Sequence, residues 1–179
     1  KEKKTYLKYI TKVKNTDFIS NDNIEELKIK NVYIPYVNIN NFLVDIFKNI
    51  DYYHFNSVLI KKVFHIKNDK SFFAYVDNNK LKIIIFNKDE LIFFNSYEIE
   101  SETDIIYFLL LSIKEKGLEI KETQINFILD KKNDLLLEIA DKFFDNFEII
   151  NNKKIDFIYS EWELLEGIVV ELGLTFPKI

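Results

Sequence analysis

Three apolar segments, Ser71 to Val76, Leu81 to Phe86 and Leu91 to Ile99, follow one another with only the quartets Asp77-Asn78-Asn79-Lys80 and Asn87-Lys88-Asp89-Glu90 between them. Each is rich in β-branched and aromatic residues, and Asn and Asp tolerate left-handed turns, so the pattern predicts a three-stranded antiparallel meander. The hydrophobic period then lengthens. Ser101 and Asp104 make an approximate capping box before Ile105, Ile106, Phe108, Leu109, Leu110 and Ile113, and Gly117 stands where a C-terminal cap belongs. A strand over Thr123 to Leu129 follows, then a helix over Asn133 to Phe144 with Leu136, Ile139, Ala140 and Phe143 inward, and a short strand near Phe147 to Ile150. The predicted order is β-β-β-α-β-α-β.

Ahead of this block, Ser20 to Lys30 is polar and reads as irregular, leading into a strand over Asn31 to Tyr36 whose Pro35 places it at an edge or an end. Asn38 or Asn40 can cap a helix to about Ile50, with Ile39, Phe42, Leu43, Ile46, Phe47 and Ile50 on one face. Tyr52 to Phe55 is read as a possible short strand. Val58 to Ile66 is read as a connecting helix with Ser57 as its cap. After the polar stretch at Asn151 and Asn152, Ile155 to Tyr159 is expected to be a final strand. Trp162, Leu165, Ile168, Val169 and Leu172 would line a last helix, a stripe able to dock a partner but first expected to pack on its own lobe. The divisions expected are 1–66, 67–159 and 160–179.

The chain has 179 residues, 47% of them hydrophobic, with 17 Phe and 10 Tyr, which is ample material for a packed core. Its formal net charge is -4, and every cationic side chain is Lys. Without the bidentate fork of Arg, and with an acidic balance, nucleic-acid binding is not expected, even though Phe72-Phe73, Phe93-Phe94 and Asp51 to Phe55 offer rings for base stacking. The absence of Cys removes disulfides and thiolate chemistry and makes a cytoplasmic home the default. The longest apolar run, Tyr107 to Leu111 within Ile105 to Ile113, is too short to span a bilayer.

Asn31-Val-Tyr-Ile-Pro-Tyr-Val-Asn-Ile-Asn-Asn41, the meander from Phe73 to Ile99, and Asp104-Ile-Ile-Tyr-Phe-Leu-Leu-Leu111 carry a resemblance to known proteins. From about Leu7 to Tyr159 the chain resembles an uncharacterised bacterial family with an actin-like ATPase fold, which is ribonuclease-H-like, distantly similar to type IV pilus assembly actin-like proteins. The resemblance implies an α/β fold with a mixed sheet, comprising the end of a first lobe and a second lobe. It also implies a chain shortened at its front, so that a first phosphate loop would lie before Lys1.

Actin-like enzymes place an Asp and a Gly around phosphate in the turn that follows Val76 here. Asp77 fits that pattern, while Asn78, Asn79 and Lys80 supply no Gly, and the later turn Asp130-Lys131-Lys132-Asn133 supplies none either. Phosphate cradles need backbone N–H groups to approach the ligand closely, often in conformations where a Cβ clashes. The expected function is therefore a non-catalytic binding or assembly module, working through a protein partner or self-association, with neither ATP nor Mg²⁺ required. The alternative is an enzyme: a divergent ATPase, or a Mg²⁺-dependent nuclease with carboxylates at Asp77, Asp104 and Asp130. Acids at turns and helix starts are ordinary structure, as are His54 and His65 outside any catalytic constellation.

Overall fold

A computed structural model describes residues 5, 7–9, 11–46, 53–77, 79–129 and 131–150. The chain divides into two compact units, Lys1–Lys61 and Lys62–Ile179. The expected final strand and last helix lie outside the described residues.

In the first unit, strands β1 (Ser20–Ile24) and β2 (Ile29–Tyr33) pair antiparallel from Ser20↔Tyr33 to Ile24↔Ile29. A single 3₁₀ turn, Glu25–Leu27, joins them and closes at Lys28 in the left-handed region, φ 55°. The sequence predicts no regular element over Ser20 to Lys30, because Ser-Asn-Asp-Asn-Ile has no apolar alternation; the strand is fixed instead by the ladder and by burial of Asp22 and Ile24. Helix α1 spans Val37–Ile46, and α2, Phe55–Ile66, begins in this unit and has its last five residues in the second. The start of α2 at Phe55 corrects two expectations: there is no strand through Tyr53 to Phe55, and Ser57 lies inside the helix rather than capping it.

The second unit holds the meander as read: β3 (Lys70–Asp77), β4 (Lys80–Asn87) and β5 (Glu90–Glu98). Both hairpins are tighter than the polar quartets suggested, because their outer residues join the ladder as Asp77↔Lys80 and Asn87↔Glu90. Strand β6 (Ile125–Leu129) runs parallel to β3, and β7 (Phe147–Ile149) parallel to β6, giving a mixed sheet of order β5-β4-β3-β6-β7. Between them lie α3 (Glu102–Glu115) and α4 (Asp134–Phe143).

Alternation sorts the sheet into two faces. Phe72, Ala74, Leu81, Ile83, Ile85, Ile125, Phe127 and Leu129 gather with Ile105, Leu109 and Ile113 of α3 and Leu136 and Ala140 of α4 in one buried cluster. Both ends of α3 are closed by local chemistry. Ser101 accepts from the Asp104 amide while Asp104 accepts from the Ser101 amide, completing the capping box. At the other end Gly117 takes φ 63°, and the Leu118 and Gly117 amides bond the Ile113 and Lys114 carbonyls at 3.0 and 3.1 Å.

Helix α4 differs from its reading in one position. Leu136 and Ala140 are buried, but Phe143 is half exposed while Phe144 is buried. The chain leaves the helix at Phe144 in an extended conformation, φ −124°, and this residue, not Phe143, enters the core.

Candidate functional site

Of the residues singled out by sequence, Asp77 falls at the carboxyl edge of β3. The parallel register ends at Val76↔Leu129, and the carboxyl ends of neighbouring parallel strands are a usual ligand position. Asp77 is the last residue of β3 and is half-buried. Asn78 and Asp130 lie outside the described residues. Asn79 is exposed, and its carbonyl accepts the Ile99 amide at 2.9 Å. Asp104 serves the start of α3: its Oδ2 accepts the Glu100 and Ser101 amides, each at 2.9 Å. Those bonds, the one from Glu100 foremost, hold its carboxyl below the usual range for Asp. Among the described residues no three His, Asp or Glu side chains converge as metal ligands.

A group missed in the sequence sits beside Asp77. Lys82 lies opposite Tyr75 in the ladder, on the sheet face away from α3, and is buried. Its ammonium stands 5.4 Å from the centre of the Tyr75 ring. Burial lowers its pKa from the ordinary lysine value, with the Asp77 charge opposing that shift and Lys80 adding to it. The signal available in sequence was a Lys at an inward position of an otherwise apolar strand.

The sign of that shift gives a stability prediction. A lysine whose folded pKa is depressed costs stability while it is protonated, and the cost disappears as pH rises past the ordinary lysine value, where it is neutral folded and unfolded alike. Lys82→Met is expected to stabilise the chain by about 1 kcal/mol at neutral pH. Urea unfolding at neutral pH and near pH 10 checks this: the gain should shrink at the higher pH, and a loss at neutral pH would contradict it.

In the first unit the structure assembles a polar cluster that sequence reading passed over. Asp22, 5% exposed, accepts three hydrogen bonds: from Tyr33 Oη at 2.9 Å to Oδ1, and from the His54 amide and Ser57 Oγ at 2.7 and 2.6 Å to Oδ2. Asn31 Nδ2 donates to Ser57 Oγ at 2.9 Å. His54 Nδ1 accepts the Asn56 amide at 3.1 Å, and its ring tilts against Tyr33 at 4.8 Å. One carboxylate thereby ties both strands to the first turn of α2, where negative charge is favoured. Ser57 donates to Asp22 rather than to the imidazole, which is not the relay of a nucleophilic serine. His65 is exposed in the last turn of α2. An open cavity of about 530 Å³ borders the cluster, lined by Asn21, Asn23, Glu26, Tyr53 and Lys61 among others.

Residues 1–147 match the model of a family described as a protein of unknown function, DUF3822. The chain belongs to the DUF3822 family. A solved structure from Bacteroides thetaiotaomicron VPI-5482, described as a protein with actin-like ATPase fold and unknown function, aligns with it at a TM-score of 0.76 and 17% identity. The alignment covers 87% of this chain and 63% of that one, so this DUF3822 chain spans less than two thirds of the matched protein's length. No curated protein matches it. The likeness gives the fold, an actin-like ATPase fold built on a mixed sheet. No helix among the described residues is long and apolar enough to cross a membrane.

Proposed function

We propose that this chain is a non-catalytic module of actin-like fold, resident in the cytoplasm, that binds a protein partner or a second copy of itself and no longer uses nucleotide. The observation that carries the reading is the short, glycine-free link after β3. A phosphate cradle presents several free backbone amides around a Gly-rich loop. Here Asp77 and Lys80 face each other in the ladder, leaving a two-residue link with no Gly. A glycine-free link supports the reading, because it is a poor cradle for the phosphates of Mg-ATP.

Exposed rings in the first unit, Tyr36 and Tyr53 among them, supply amphipathic contact surface suited to a protein partner. The absence of Arg and the net charge of -4 disfavour nucleic acid as that partner. A distant kinship to type IV pilus assembly actin-like proteins, and with it a role in assembly, is part of the same proposal. The nuclease alternative draws no support from Asp104, whose carboxylate is committed to the helix cap. Isothermal titration of the full-length protein with Mg-ATP tests the reading. No saturable heat is expected, and binding in the micromolar range would refute it.

A further inference from the structure

We propose that a cavity at the opposite end of β3 from Asp77 binds a small apolar or aromatic molecule carrying one anionic head. The cavity measures about 350 Å³ and lies where β3 begins and α3 ends. This is within the size range of small-molecule sites, and its lining sets an apolar side beside an equally large polar and charged one.

Phe72, Ile85, Ile92 and Leu118 contribute the apolar lining. Ile92 is there because of a β-bulge. The β4–β5 register steps from Ile85↔Phe93 to Phe86↔Leu91, leaving Ile92 without a cross-strand partner, and both Ile92 and the adjacent Phe93 pack against the same core cluster. Bulges re-aim side chains next to functional sites. A strand in strict alternation would have sent Ile92 and Phe93 to opposite faces.

Lys70 and Lys116 also line the cavity. The Lys116 ammonium stands 4.7 Å over the Phe93 ring, and among the described residues neither lysine belongs to an ion pair. Nor are they committed to the carboxyl end of α3, whose last carbonyls already accept the amides of Lys116, Gly117 and Leu118. Glu119 and Glu122 stand on the exposed 3₁₀ turn of the same lining, so a cationic head is the competing occupant. An ammonium held over a ring beside an apolar floor matches a carboxylate attached to an aromatic or aliphatic body. The proposal does not depend on the loss of nucleotide binding.

Titration of the ¹⁵N-labelled full chain with 2-naphthoate, followed by amide chemical shifts, tests this. Saturable shifts are expected at Ser71, Ile92 and Lys116 to Leu118. The neutral analogue 2-naphthalenemethanol should bind roughly tenfold more weakly, the worth of one charge-assisted hydrogen bond, and Lys116→Gln should weaken naphthoate similarly. Ile92→Trp, or Leu118→Trp if the first variant fails to fold, should abolish binding by filling the cavity. No saturable shifts, shifts centred elsewhere, equal or tighter binding of 2-naphthylmethylamine, or naphthoate binding unchanged in a folded Trp variant would each overturn the proposal.

Discussion

Truncating Phe127 to Ala is expected to lower the unfolding free energy by about 3–5 kcal/mol, close to half the total stability of a domain this size. Phe127 is fully buried at the middle of β6. It stands opposite Ala74 of β3, a large side chain beside a small one, and meets Phe147 of β7 edge to face at 5.9 Å. Removing the ring leaves a cavity under α3 and α4 that regular elements on every side cannot collapse to fill. Phe127→Leu, which keeps most of the volume, should cost less than half as much. Urea unfolding measures both, and similar midpoints for the two variants would mean that the sheet and helices do not form one packed core.

The second large effect concerns the first unit. Asp22→Ala is expected to cost about 3 kcal/mol, because Tyr33 Oη, Ser57 Oγ and the His54 amide lose their acceptor together. Asp22→Asn should recover only part of this, since one of its two positions becomes a donor facing donors. The loss should be local. Amide hydrogen exchange is expected to speed up across β1, β2 and the first turn of α2, while β3, β4 and β6 keep their protection. If Asp22→Ala leaves exchange in β1 and β2 unchanged, the carboxylate is not what joins these elements.

These two residues also mark what the sequence made legible. The β3–β4–β5 meander, both caps of α3 and the strand containing Phe127 could be read directly, because period, turn residues and capping residues all pointed the same way. The first unit could not. Strand β1 presents Ser-Asn-Asp-Asn before its only apolar residue, and its stability comes from Asp22, whose partners Tyr33, His54 and Ser57 are distant in sequence. Ser57 was misread for a related reason: a Ser just before an apolar helical run looks like a cap, while here its hydroxyl serves a carboxylate from another strand.

The candidate site divides along the same line. Asp77 and the glycine-free corner were visible in sequence order, since a turn is local. Lys82 beside Asp77, and the bulge that lines a cavity with Ile92, are products of strand register, which no local pattern encodes. Phe143 and Phe144 are exchanged relative to expectation because the helix ends one residue before its pattern does.

The proposal that most needs testing is that the glycine-free turn after β3 does not hold nucleotide. A crystal structure of the full-length protein grown with excess Mg-ATP addresses this most directly. We expect residues 77–80 and 130–133 to be free of nucleotide, and a triphosphate held by backbone amides of either corner would contradict the proposal.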